Sequence, residues 1–257
     1  MQDKRLHITR RQWSLPKQGN ALDEYEDYCR SDLQRLRFAI ADGAAESSFA
    51  DLWAKLLVHY FLKDPDPLLA GHWHKWLAPL QTAWRKKVDG QERSWYAEAK
   101  AARGAFAAFL GLTLSLDRRW QAVAVGDCCL IQVRQGALHA KFPLTASSEF
   151  SSRPFLIGSR SPLDEITDMK LDRRADGDWQ FGDRFLLMTD ALSEWYLRQV
   201  ESGQDPTVLA DHLVASSQEE FASRIETLRR DQGLNNDDVT LFQVTLQAAE
   251  ESAQKVP

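Results

Sequence analysis

A chain of 257 residues, 44% hydrophobic and 27% charged, is long enough to bury a sizeable core as one large domain or two small ones. Its net charge of −5 argues against phosphate-backbone binding as a main task, because nucleic-acid binders carry a basic footprint. Cys29 and the adjacent pair Cys128 and Cys129 make neither a disulfide framework nor a zinc spacing, which predicts a reducing cytoplasm. No apolar run approaches a transmembrane span and the first residues lack an apolar signal core, so neither membrane insertion nor export is expected.

Residues 1–25 are polar and basic, with Pro16-Lys17-Gln18-Gly19-Asn20 reading as a loop. Next, Arg37-Phe38-Ala39-Ile40-Ala41-Asp42-Gly43 runs small and apolar residues straight into an acid and a glycine. This predicts a buried strand over 38–41 that presents a carboxylate at its tip. Ser47 and Ser48 offer an N-cap to a helix whose apolar stripe is Phe49, Leu52, Trp53, Leu56, Leu57 and Tyr60. Lys63-Asp64-Pro65-Asp66-Pro67 ends it. A second helix carries Leu69, Trp73, Trp76, Leu77, Leu80 and Trp84 on one face. His72 and His74, two apart, do not share a helix face and are poor joint metal ligands.

An alanine-rich helix is predicted over 96–110. Strands over 112–116, 120–125 and 129–134 then read as a meander, with turns at Asp117-Arg118, Gly126-Asp127 and Gln135-Gly136. Residues 143–180 look like an irregular surface segment. A strand over 184–189 returns to the core. Helices over 192–200, 206–216 and 219–230 follow, a last strand spans 239–246, and a polar tail runs over 247–257. With no repeat and no linker, one domain over 1–246 is expected. Paired helices between antiparallel strands favour an α+β sandwich over a doubly wound sheet.

Asp42 is not alone at a strand end. Thr189-Asp190 closes an apolar strand, Asp237-Asp238 opens one, and Glu26-Asp27 adds a carboxylate pair upstream. Hard divalent cations want carboxylates on a rigid frame, so this pattern points to an oxygen-ligand metal site. Each motif has a plainer reading: Asp42 as a turn acid, Glu26-Asp27 as part of a solvated acidic run, Asp127 as a hairpin turn residue, Asp237-Asp238 as a turn.

Taken in order, Glu26-Asp27, Asp42-Gly43, Val125-Gly126-Asp127, Thr189-Asp190-Ala191 and Asp237-Asp238-Val239-Thr240 resemble the metal-dependent protein phosphatase family, the type 2C serine/threonine phosphatases. The resemblance covers roughly residues 10–246. It implies a four-layer α/β/β/α sandwich, two mainly antiparallel sheets flanked by helices, with two Mn²⁺ or Mg²⁺ ions, and a weaker third in some members, at one edge. By that resemblance Asp42, the Gly43 carbonyl, Asp190, Asp237 and Glu26 are metal ligands, Asp27 orients the attacking water, and Asp127 belongs to the third-ion site. The implied activity is hydrolysis of phosphoserine and phosphothreonine in a phosphoprotein substrate opposed by a cognate kinase.

The departures lie on the substrate side. Ala44, Ala45 and Glu46 follow Asp42-Gly43 where many members have further glycines or a histidine, and Ala191 replaces the glycine of T-D-G. The arginine that often grips the phosphate before the E-D pair is missing, which leaves Lys17 as a substitute without the bidentate fork. Arg153 and Arg160 are further candidates for the phosphate. These changes open a second reading, a pseudophosphatase that binds a phosphoprotein or regulates a kinase; a third is hydrolysis of a small phosphate ester or nucleotide by the same two-metal site.

Overall fold

The computed structural model describes residues 5–44, 47, 49–89, 102–163, 165–168 and 172–249. In chain order its elements are β1 (Leu6–Leu15), β2 (Tyr28–Asp32), β3 (Arg37–Gly43), α1 (Ala50–Lys63), α2 (Asp66–Leu69) and α3 (Trp73–Val88). There follow β4 (Phe106–Leu114), β5 (Arg119–Val125), β6 (Cys129–Arg134), β7 (Ala137–Phe142), β8 (Ile157–Gly158), α4 (Glu165–Asp168) and β9 (Arg173–Asp178). The chain closes with β10 (Arg184–Met188), α5 (Asp190–Glu201), α6 (Pro206–Leu213), α7 (Gln218–Asp231) and β11 (Val239–Ala248).

Two antiparallel sheets form, one in the order β1-β11-β10-β6-β7 and the other β2-β3-β4-β5-β9, with β8 added to β4. Three apolar cores separate four layers. Helices α1 and α3 bury Trp53, Phe61, Trp76 and Trp84 against the second sheet, together with Ala39, Ala41 and Phe109 of its strands. Phe38, Ile40, Leu110, Phe185, Leu187, Phe242 and Val244 fill the space between the sheets. Helices α5, α6 and α7 place Trp195, Leu209 and Phe221 on the outer face of the first sheet beside Leu186, Met188 and Leu241. The alternation along β3 decides which face is which: odd positions meet the helices and even ones meet the other sheet. A sheet covered on both faces reads as a continuous apolar run, which is why these strands were visible in the sequence. The α+β sandwich is therefore the observed fold. Among the described residues no helix is long and apolar enough to cross a membrane.

Local chemistry sets the helix starts. Asp205 caps α6 by accepting from the Thr207 and Val208 amides, with Pro206 in the first turn, and Ser217 caps α7 through the Glu220 amide. The start of α1 differs from the serine cap expected. Phe49 holds the N-cap position in a left-handed conformation (φ 62°), while Ser47 Oγ donates to the Ala44 carbonyl and accepts from the Phe106 amide. The buried face of α1 is also rotated from the expected stripe. Ala54, Val58, Phe61 and Leu62 are buried, whereas Leu52, Leu56 and Tyr60 are half-buried. Leu69 belongs to α2 and His72 precedes α3, whose face of Trp73, Trp76, Leu77, Leu80 and Trp84 is buried as expected.

Other differences concern strands. Residues 6–15, for which no strand was expected, form β1, paired with β11 from Leu6↔Ala248 to Leu15↔Val239. Their leucines, isoleucine and tryptophan alternate weakly, and the arginines between them mask the period on an edge strand. Residues 106–110, expected to end an alanine-rich helix, belong to β4; the part of that prediction over 96–101 lies outside the described residues. Small residues occur there because the layers approach closely: a Cβ on Gly111 would lie 2.5 Å from the Phe61 ring. Tertiary packing overrides helix propensity at such a site. The expected meander also breaks, because β5 and β6 lie in different sheets and Gly126-Asp127 carries the chain between them. Within residues 143–180 the strand β9 pairs with β5. Of the expected tail, Gln247 and Ala248 still pair in β11, and 250–257 lie outside the described residues.

Candidate metal centre

Strand register brings the acidic motifs to one edge of the sandwich. Tyr28, just after Glu26-Asp27, pairs with Ala41, just before Asp42. Asp42 pairs with Ala108, and Val125, just before Gly126-Asp127, pairs with Phe109. In the other sheet Met188 pairs with both Cys129 and Leu241, so Thr189-Asp190 and Asp237-Asp238 leave the same end. Leu15 pairs with Val239, which brings Pro16-Lys17 there too.

The backbone at this edge is close-packed. A Cβ on Gly43 would lie 2.8 Å from the Glu26 carbonyl and 3.0 Å from the Ala50 Cβ, so glycine lets the end of β3 touch the lead into β2. Gly126, at φ 91°, lets the crossover approach Ala108, whose Cβ a side chain there would meet at 2.6 Å.

The Thr240 hydroxyl and one further acid join the two sheets. Thr240 Oγ1 donates to Asp27 Oδ2 at 2.7 Å, and the Tyr25 hydroxyl lies against both groups. The Thr240 amide donates to Thr189 Oγ1 at 3.0 Å. Asp238, buried, accepts from the Lys17 amide at 2.9 Å and from the Glu26 amide at 3.0 Å. Asp238 and Thr240 belong to the last of the acidic motifs, with no task expected of them, and Tyr25, just before Glu26-Asp27, was not singled out in the sequence. A second omission is Arg229 of α7, which donates to the Pro16 carbonyl at 3.1 Å and to the Asp237 carbonyl at 2.5 Å. Nothing in its helical sequence context signals that contact.

The electrostatics are those of crowded carboxylates. Burial, then repulsion from Asp27, Asp190, Asp127 and Asp237, holds the Asp42 carboxyl well above the ordinary range. Burial does the same to Asp27, with Asp238 and Asp190 adding to it, while the hydroxyls of Thr240 and Thr189 pull the other way. Asp190 is raised to about 7 by burial and by Asp127 and Asp237, and Asp127 to about 6 by burial with Asp237 adding. Among the described residues, the largest effects on these four carboxyls include no lysine or arginine. Asp27 Oδ1 is buried without a hydrogen-bond partner, a costly arrangement for a carboxylate oxygen.

Oxygen donors, uncompensated charge and an orphaned buried oxygen fit a hard divalent cation. As the side chains stand, no three described His, Cys, Asp or Glu residues converge closely enough to hold an ion. Glu26, Asp42, Gly43, Asp127, Asp190 and Asp237 are thus brought to one edge without meeting at one point. Lys17 reaches the edge, where the bond to Asp238 is made by its amide. Arg160 stands elsewhere, paired with Asp89 at 2.6 Å and lying over the Trp84 ring.

Two antiparallel sheets flanked by helices make an α+β fold shared with phosphatases of known structure. The family model described as protein phosphatase 2C matches residues 16–236, and the chain belongs to that family. Among solved structures it is similar to the catalytic domain of the serine threonine protein phosphatase PstP in complex with two manganese ions, at 17% identity and TM-score 0.61, covering 95% of this chain and 100% of that one. The Mycobacterium tuberculosis serine/threonine phosphatase PstP/Ppp aligns at 17% identity and TM-score 0.58, covering 94% and 99%. The photosystem II phosphatase PBCP aligns at 14% identity and TM-score 0.60, covering 95% and 100%. No curated protein matches the chain by sequence.

Proposed function

We propose that this chain is a metal-dependent serine/threonine protein phosphatase working at a binuclear Mn²⁺ or Mg²⁺ site. The observation that carries the reading is the gathering of Glu26, Asp27, Asp42, Asp127, Asp190 and Asp237 from both sheets at one edge, with four of the carboxyls raised by burial and mutual repulsion. Glu26, Asp42, the Gly43 carbonyl, Asp190 and Asp237 would hold the ions, with Asp127 and Asp190 available to a third. When bound, such ions act as Lewis acids toward the phosphoryl group and make water nucleophilic at neutral pH. Asp27, held by the Thr240 hydroxyl, would orient the attacking water by accepting a hydrogen bond from it. Lys17 supplies a positive charge for the substrate phosphate. No side-chain nucleophile is required.

The reading extends to one phosphatase domain over 1–246, a phosphoserine- or phosphothreonine-bearing protein as substrate, a cognate kinase as its opponent, and a cytoplasmic setting suited to three unpaired, buried cysteines. Its test is phosphate release from a phosphothreonine peptide with Mn²⁺, with Mg²⁺ and with chelator, beside Asp190→Asn. Metal-dependent release lost in the variant is expected, and undiminished release by Asp190→Asn overturns the reading.

A second reading, a pseudophosphatase binding module, draws on the absence of three convergent ligands among the described residues and on Ala191 in place of glycine. It predicts binding of a phosphopeptide without its turnover, with or without Mn²⁺.

A further inference from the structure

Away from the acidic edge, along β2, the structure forms a pocket of about 580 Å³ between the two sheets' edge strands and the end of α1. Its walls carry Arg10 of β1, Arg30 of β2, Arg35 of the β2–β3 turn, and His59 and Lys63 of α1. The single acid among them, Asp32, is spent on Arg35, whose guanidinium donates to it at 2.7 Å and whose amide donates at 3.0 Å. Arg10 donates to Ser31 Oγ at 2.6 Å and Arg30 lies 3.4 Å from the Tyr28 hydroxyl, both neutral partners. Among the described residues, Arg10, Arg30 and Lys63 form no ion pair.

The fold made this cluster. Along β1 the even positions Leu6 and Ile8 face the space between the sheets, so Arg10 continues that row to where it meets Ser31. Along β2, Cys29 faces inward and Arg30 therefore faces α1. Burial lowers the His59 pKa, and Arg30 of the pocket, with Lys87 and Lys55 outside it, lowers it further. Three uncompensated cations from three distant segments thus share one concavity on a chain whose net charge is −5.

We propose that this pocket docks an acidic segment of a protein partner through its Asp and Glu side chains. Guanidinium forks match carboxylates in geometry and charge. The exposed Leu33 and the edge of Leu62 give the methylene stems of such side chains an apolar wall. An open basic concavity of limited extent on an acidic protein suits a short peptide better than a nucleic acid, which needs an extended basic stripe. Arg30 lies three residues past Asp27, about 10 Å along the chain, so β2 links the pocket to the acidic edge without making them one site. The inference holds whether or not the chain turns over phosphate, because it concerns binding alone.

The test is fluorescence anisotropy with a labelled peptide of alternating Glu and Asp, on the full chain at low and high salt. Reversing both charges (Arg10→Glu with Arg30→Glu) is expected to weaken binding at least about tenfold, and added salt to weaken it in the wild type. Lys63→Glu alone gives a second, milder variant, and circular dichroism shows that each variant is folded. Arg11→Glu is the control, since Arg11 lies on the other face of β1. The proposal is overturned by no binding to the wild type, by equal binding to the double variant, or by equal weakening in Arg11→Glu. Tighter binding of single-stranded RNA or of phosphatidylserine vesicles than of the peptide also overturns it.

Discussion

Thr240 of β11 donates its hydroxyl proton to Asp27 at 2.7 Å, and that bond runs from one sheet of the sandwich to the lead of the other sheet's edge strand. Asp27 is buried and its other oxygen has no partner, so Thr240 supplies much of what holds this carboxylate. Thr240→Val keeps the shape and removes the donor. The expected outcome is a loss of about 1–3 kcal/mol in stability and weaker Mn²⁺ binding. Thermal unfolding and Mn²⁺ titration of the two proteins check it; an unchanged Mn²⁺ affinity counts against a positioning role for the bond.

Asp42 is repelled by four other carboxyls at this edge. Asp42→Asn removes a carboxyl whose ionisation is opposed by burial first and then by those neighbours, so near neutral pH the metal-stripped variant is expected to be more stable than the metal-stripped wild type, by about 1 kcal/mol or more. With Mn²⁺ the order reverses, because only the wild type gains from a bound ion. Melting curves with chelator and with Mn²⁺ read both halves. A variant less stable than wild type in chelator refutes the crowding.

Arg229 reaches from α7 to the carbonyls of Pro16 and Asp237 and is half-buried. It fixes the loop that carries Asp237 against the end of β1. Arg229→Gln is expected to reduce Mn²⁺ affinity about tenfold, equivalent to about 1.4 kcal/mol, while Arg229→Lys recovers part of it. Isothermal titration separates this from simple unfolding, since both variants can be compared at a temperature where each is folded. Equal losses in the two variants argue against a specific clamp.

Asp183 offers a contrast. It is fully buried far along β10 from the acidic edge, and it accepts from Arg134 and from Gln132 at 2.7–2.8 Å. Gln132 in turn accepts from Trp120 of the other sheet at 3.1 Å. Asp183→Leu leaves the Arg134 charge without its buried partner and is expected to cost about 3–5 kcal/mol. Mn²⁺ affinity of the folded fraction stays at the wild-type level. Urea unfolding measures the first and Mn²⁺ titration below the transition the second; a large fall in affinity denies that the network is purely structural.

Sequence alone determined the acids and the strands that carry them. Asp42, Asp190 and Asp237 stand at the ends of runs such as Phe38–Ala41 and Phe185–Met188, which are apolar on both faces because each sheet is covered twice, and that makes them legible as continuous hydrophobic stretches. The order of the motifs was legible for the same reason. What tertiary structure decided is the pairing that sequence spacing cannot encode. The edge strand β1 is half solvated and arginine-rich, so its period is faint until β11 is beside it. Ala107 and Ala108 look helical until the layers they separate are seen to need small side chains. Gly126-Asp127 looks like a hairpin turn, and only the two sheets reveal it as the crossover between them. Arg229, the Thr240–Asp27 bond and the basic pocket of Arg10, Arg30 and Lys63 join segments up to 213 residues apart. Contacts of that separation leave no local pattern, because they are set by packing between layers rather than by the residues on either side.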